Sequence, residues 1–195
     1  KARLHFEWID NVVHYTLAIK DKSIEATADI ATLEEAVTIL PSLLQNHHLL
    51  QENENIAAIG LRIVAPGGYF LRDYIVNDEF ISHLQSAKNH APLHVAATLG
   101  ELAYLQRHFP QTPLYGISDS AFHITKPEHA WNYGISLDLA DRYDIKRFGY
   151  HGLSVASAVK QLSSSHKIIV CHLGSGASVS AVQNGKSIDT TMGYS

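Results

Sequence analysis

The residues of this chain that could do chemistry fall at four places: Arg62, Asp119, His151 and the turn His172-Leu173-Gly174-Ser175-Gly176. Arg62 puts a guanidinium inside the apolar run Ile56 to Val64, which is costly unless the charge is paired or reaches a site at the strand's end. Asp119 ends the run Pro113 to Ser118, and a carboxylate at the C-terminal edge of a strand can meet a ligand in an α/β crevice. His151 precedes the apolar-periodic run Leu153, Ala156, Val159 and Leu162, which sets it just outside a helix N-terminus, where an anion is welcome. Glycines at 174 and 176 let backbone N–H groups approach a ligand closely, and a row of such groups binds phosphate oxygens. The shared chemistry is anion binding. Each feature also has a plain structural alternative: a salt bridge for Arg62, a turn or cap for Asp119, a tight hairpin for Gly-Ser-Gly.

The elements that must position these residues follow from periodicity. Leu4 to Trp8 and Val12 to Ile19 about Asp10-Asn11 predict a β-hairpin. Thr32 with Glu35 predicts a capping box ahead of a helix through Ala36, Ile39, Leu43 and Leu44, which Pro41 should kink or interrupt. Ile56 to Val64 predicts a buried strand that ends at the turn Ala65-Pro66-Gly67-Gly68. A helix from Asn77 to Lys88 has Asn77 or Asp78 as cap, and a second runs from His94 to Phe109. His90 and His94 share zinc-helix spacing, but Pro92 between them argues against one continuous helix. Pro127 to Ile145 is expected to connect, with one helix near Leu137 to Tyr143. Ser154 is in reach of an N-cap role for the helix after His151. Lys167 to Leu173 predicts a buried strand, followed by strands Ala177 to Val182 and Lys186 to Thr190 around an Asn184-Gly185 turn. Alternating short strands and helices imply an α/β fold.

Composition bounds the function. A chain of 195 residues with 46% hydrophobic content can bury a real core in one ordinary domain or two small ones. Net charge is −4 and basic residues do not cluster, so the footprint of a nucleic-acid binder is lacking. No apolar run approaches the ~20 residues needed to span a bilayer. The single cysteine, Cys171, excludes an internal disulfide, fits a reducing cytoplasm, and is expected to be a small core residue. Opening on Lys1 rather than a methionine is a first hint that the chain is part of a longer product.

Three motifs in order carry a resemblance. Arg147-Phe148-Gly149-Tyr150-His151-Gly152-Leu153-Ser154, then His172-Leu173-Gly174-Ser175-Gly176-Ala177-Ser178-Val179, then Asn184-Gly185-Lys186-Ser187-Ile188-Asp189-Thr190-Thr191-Met192-Gly193 closely resemble the acetate kinase family, which includes propionate and butyrate kinases. Upstream, Asp119-Ser120-Ala121-Phe122-His123 is similar to the family's Asp-Thr-Ala-Phe-His, and Ala91-Pro92-Leu93-His94 matches as well. The resemblance spans nearly all of this chain but only about the middle half of a family member.

That resemblance implies ribonuclease H-like domains of the sugar kinase, chaperone and actin superfamily, facing across a cleft, with residues 1–121 most of the first and 122–195 the start of the second. It implies phosphoryl transfer between MgATP and acetate or a similar short-chain carboxylate, giving an acyl phosphate and ADP, in a cytoplasmic homodimer without nucleic-acid or membrane partners. By carry-over, Arg62 would bind carboxylate and phosphoryl group, and Asp119 would act on the carboxylate's proton or, through water, on Mg²⁺. His151 would donate to an equatorial oxygen of the transition state. Val64, Leu93 and Tyr150 would line the acyl pocket, His94 belongs to the cleft, and His172, Leu173, Gly174, Ser175 and Gly176 would cradle nucleotide phosphates. The family's magnesium ligands, its N-terminal phosphate loop and its adenosine motif lie outside this chain, which is therefore expected to be inactive alone. Departures are Leu61 and Ala65 for histidines, Pro66 for glycine, Ser120 for threonine, Lys126 for methionine, Tyr150 for the usual phenylalanine, Val155 for histidine and Ser175 for asparagine. A non-catalytic relative that binds nucleotide or acyl phosphate, and an unrelated metal-dependent hydrolase, stand as alternatives.

Overall fold

The computed structural model describes residues 1–33, 35–51, 54–162 and 166–194. The chain divides into two units, one of Lys1–Ala57 with Glu101–Thr112, the other of Ala58–Gly100 with the residues from Pro113 onward.

In the first unit, strands β1 (Ala2–Ile9), β2 (Val12–Ile19) and β3 (Lys22–Ala28) form an antiparallel meander. Asp10 and Asn11 both take positive φ, the backbone that a two-residue hairpin turn with the right twist requires. Alternation along β2 buries Val13 and Leu17. Helix α1 (Ala36–Asn46) runs through Pro41 without a break. The expected Thr32 cap is absent among the described residues. The Glu35 carboxylate reaches back to accept the Ala31 N–H at 2.8 Å, and Glu35 is itself the N-cap residue of the helix.

The second unit holds two sheets. In the first, β4 (Ile59–Ile63) pairs in parallel with β6 (Leu114–Ser118), and the short β5 (Tyr74–Ile75) pairs antiparallel on the other side of β6. Helix α2 (Asp78–Ala87) starts at Asn77, whose Oδ1 accepts the Phe80 N–H at 2.8 Å, and buries Phe80 and Leu84. Helix α3 (Pro92–His108) begins with its proline in the first turn, where no backbone donor is lost, two residues earlier than periodicity suggests. Short helices α4 (Glu128–Trp131) and α5 (Leu137–Arg142) lie in the connecting segment. Helix α6 (Gly152–Gln161) has His151 as its N-cap residue, without a side-chain cap from Ser154.

The second sheet is the antiparallel meander β7 (Lys167–Leu173), β8 (Ala177–Gln183) and β9 (Lys186–Thr190), with Asn184 and Gly185 at positive φ between the last two. Strand β7 is not buried on both faces as its apolar run suggests. Ile169 is 65% and Leu173 79% exposed, and Cys171 is exposed rather than a core residue. The pleat explains the difference: alternate residues point to opposite faces, and only the face of Ile168, Val170 and His172 is partly covered among the described residues.

Candidate functional site

Parallel pairing of β4 with β6 brings the C-terminal ends of both strands together. Ile63 stands opposite Ser118, and the Asp119 N–H continues the ladder onto the Ile63 carbonyl at 2.9 Å. Arg62 and Asp119 thereby become neighbours although 57 positions apart. Arg62 Nη2 donates to Asp119 Oδ2 at 2.7 Å, with the aspartate side chain 1% exposed and the arginine side chain 56% exposed. Both alternatives for Arg62 are therefore realised: it is paired, and most of its fork is still open.

Asp119 also organises the start of α6. Its Oδ2 accepts the His151 N–H at 2.7 Å, and its main-chain carbonyl accepts the Gly152 N–H at 2.8 Å. Two of the N–H groups that a helix start leaves unpaired are thus held from a strand end far away in sequence. Asp119 divides its oxygens: Oδ2 fixes the scaffold, and Oδ1 has no hydrogen-bond partner among the described residues.

His151 takes a left-handed backbone, φ 63°, which turns its ring back from α6 toward the β7-β8 hairpin. There its Nδ1 lies 3.0 Å from Ser178 Oγ, and its ring stacks on His172 with centroids 4.0 Å apart and planes 18° apart. Gly176 lies against the opposite edge of the ring: a Cβ there would stand 3.2 Å from Nε2. Burial, and then the neighbouring His172, hold His151 below the ordinary histidine pKa, so the neutral ring is favoured.

These groups border one cavity of about 570 Å³. Arg62, Asp119 and His151 supply its polar wall, with His94, His172 and the Gly174-Ser175-Gly176 turn around them. Val64 and Tyr150 also line it. Tyr150 is held by its hydroxyl, which donates to the Tyr194 carbonyl at 2.6 Å, and burial raises its pKa. Leu93 and Leu173 do not line it. Leu93, in the first turn of α3, is 86% exposed, and Leu173 follows His172 on β7 and so points to the opposite face. Four lining residues are not among the expected site residues: Ala91, Leu153, Ser154 and Met192. Each is adjacent to or inside a motif that carries the resemblance. No group of three or more histidine, cysteine, aspartate or glutamate side chains is placed to hold a metal among the described residues.

The position of the departures matters. Val155 is fully buried and Ala65 nearly so, and neither they nor Leu61 border the cavity. Lys126 is buried elsewhere, its ammonium 4.3 Å from the Trp131 ring centroid and donating to the Arg147 carbonyl. Of the substituted residues, Tyr150 and Ser175 border the cavity.

Solved structures identify the fold class. A propionate kinase from Francisella tularensis superposes with a TM-score of 0.82 at 31% identity, covering 99% of this chain and 51% of that one. An acetate kinase from Porphyromonas gingivalis gives 0.74 at 28% identity, covering 94% and 49%. The fold is α/β, of the ribonuclease H-like kind found in the sugar kinase, chaperone and actin superfamily. Within it the acetokinase family profile matches residues 5–195, and the chain belongs to that family. Acetate kinases from Lachnoclostridium phytofermentans and Thermoanaerobacter pseudethanolicus are 32% and 34% identical over 98% and 95% of this chain. The chain spans about half the length of these relatives, 55% and 48%.

Proposed function

We propose that the protein carrying this chain transfers the γ-phosphoryl group of ATP to acetate or a similar short-chain carboxylate, reversibly and directly. A carboxylate oxygen forms the new bond to phosphorus, the bond from phosphorus to the bridging oxygen of ADP breaks, and ADP leaves with the electron pair. The observation that supports this best is the convergence of Arg62, Asp119 and His151 on one cavity with Val64 and Tyr150 on its wall. The transferring group spreads negative charge over its oxygens, and such charge is stabilised by donors already in place. Arg62 has unused guanidinium donors to hold the carboxylate and phosphoryl oxygens. His151 directs Nε2 toward the cavity, and the turn at Gly174, Ser175 and Gly176 suits nucleotide phosphates.

Mg²⁺ fits this donor set in a limited way. The ion keeps much of its water and takes one or two carboxylates beside substrate phosphates, and Asp119, which lines the cavity, has in Oδ1 a carboxylate oxygen without a hydrogen-bond partner among the described residues. Asp119 would hold the ion through water, and the ion would neutralise phosphate charge. In this reading the first domain runs through residue 121 and the second starts at 122, and the protein works in the cytoplasm as a homodimer. The non-catalytic alternative draws on Leu61, Ala65, Val155 and Ser175, and of these four Ser175 alone borders the cavity.

The deciding experiment incubates the purified protein with acetate and MgATP and traps acyl phosphate with hydroxylamine. Hydroxamate is expected, falling by about 10²- to 10³-fold in Arg62→Ala. Nucleotide binding without hydroxamate would favour the non-catalytic relative, and absence of both would remove the proposal.

A further inference from the structure

The β7-β8 hairpin contacts His151 from more than one side. His172 and Ser178 are direct partners across the two strands, so both side chains stand on the same face of the hairpin. One stacks on the His151 ring, and the other puts its hydroxyl 3.0 Å from Nδ1. Gly176, in the turn that joins the two strands, leaves room at the Nε2 edge. A histidine that begins a helix in the left-handed conformation thus has its ring oriented entirely by another element.

Ser178 is 2% exposed, and among the described residues its hydroxyl has one hydrogen-bond partner, His151 Nδ1. Two arrangements satisfy that contact. If Nδ1 carried the hydrogen, the serine oxygen would accept it and the serine hydrogen would be buried without an acceptor, at a cost of about 1–3 kcal/mol. If the serine donates, Nδ1 accepts and the buried serine hydrogen is paired. The second arrangement places the ring hydrogen on Nε2, which makes no hydrogen bond among the described residues and lies beside Gly176 on the cavity wall.

We infer that Ser178 is a positioning residue: its hydroxyl donates to Nδ1 of neutral His151, fixes the Nε2–H tautomer, and so presents a donor rather than a lone pair to an anionic oxygen in the cavity. The tautomer stands on this contact alone, whereas its consequence for turnover rests on the phosphoryl-transfer reading above. The opposite tautomer would aim a lone pair at the phosphoryl oxygens, where it repels. Hydrogen-bond partners that orient metal-ligating histidines change metal affinity or activity by about 10- to 100-fold, and an effect of that order is expected here.

Two-bond ¹H–¹⁵N correlation spectra of histidine-labelled protein report the tautomer directly. At neutral pH, His151 is expected to show a protonated Nε2 and a bare Nδ1 in the wild type and in Ser178→Thr, which keeps the hydroxyl. Ser178→Ala is expected to show a mixture of tautomers, and kcat for acyl phosphate formation falls about tenfold or more with KM little changed. A protonated Nδ1 in the wild type overturns the inference even if no variant folds. An unchanged spectrum in Ser178→Ala overturns it as well. Mixed tautomers with undiminished turnover would overturn the positioning role and the part given to His151 in transfer, while hydroxamate formation would still judge the kinase reading separately.

Discussion

The ring of His172 lies on the ring of His151 at 4.0 Å between centroids, nearly face to face. Two imidazolium charges at that distance repel, so His172 disfavours protonation of His151. Burial is the larger cause of the lowered His151 pKa and His172 the next. His172→Phe keeps a ring in the stack and removes the second charge, and it should raise the His151 titration midpoint while burial keeps it below the ordinary value. An NMR titration of the His151 ring protons measures this. A midpoint that stays put or falls would mean that His172 contributes packing alone.

Gly152 should not tolerate a side chain. A Cβ there would stand 2.4 Å from the Asp119 carbonyl oxygen, the atom that accepts the Gly152 N–H, and 3.2 Å from Phe122 Cβ. Backbone cannot swing aside as a flexible side chain does. Gly152→Ala is therefore expected to lose about 2–3 kcal/mol by denaturant unfolding, the upper range for overpacking, and to displace His151 from the cavity. Gly100, inside α3, is the control, because a Cβ there meets nothing within 4 Å. Gly100→Ala should gain up to about 1 kcal/mol from helix propensity. If both variants lose stability alike, the clash is not the cause.

What could be read from the sequence is local chemistry. Asp10-Asn11 and Asn184-Gly185 announce their hairpins because few other pairs accept positive φ so readily, whereas Lys20-Asp21, which joins β2 to β3, carries no such signal, and β3 was not anticipated. Arg62 and Asp119 stand out as charges at the ends of apolar runs, but their 2.7 Å pairing depends on two strands lying parallel, which neither run encodes. Ser178 looks like any polar residue on an alternating strand. Its importance comes from what the neighbouring helix start brings to it. Cys171 and Leu173 show the reverse error: an unbroken apolar run suggests burial on both faces, while the pleat commits each residue to only one.

His123 gives a stability prediction with a defined pH window. It is fully buried, its Nε2–H donates to the Tyr150 carbonyl at 3.1 Å, and its Nδ1 therefore accepts from the Ser187 hydroxyl at 2.8 Å. Burial is the chief cause of a pKa lowered from 6.5 to about 4. The unfolded chain then binds a proton more readily than the folded one between these values. The stability contributed by the neutral ring is fully present above about pH 6.5 and is lost progressively as pH falls toward 4, to a total of roughly 3 kcal/mol. His123→Gln should flatten that part of the stability curve, measured by urea unfolding at successive pH values. An equally steep acid limb in the variant would assign the loss to other groups.

Lys126 is a buried ammonium without a carboxylate in contact among the described residues, and its removal should stabilise the fold. Desolvation is the main cause of a pKa lowered from 10.5 to about 8, so at neutral pH the charged form is disfavoured by roughly 3 kcal/mol relative to water. Lys126→Met relieves that cost, fills the same volume against Trp131, and leaves the Arg147 carbonyl without its donor, which takes back about 1–3 kcal/mol. A net gain of about 1 kcal/mol at pH 7 is expected, since buried charges often give way to apolar residues at no loss. The pH dependence separates this account from improved packing. Between about pH 8 and 10.5 the unfolded lysine still holds a proton that the folded one has released, so wild-type stability rises through that window and the variant's advantage shrinks. Thermal unfolding of both proteins across the window measures the gap. A constant gap would mean that packing, and not the charge, sets the difference.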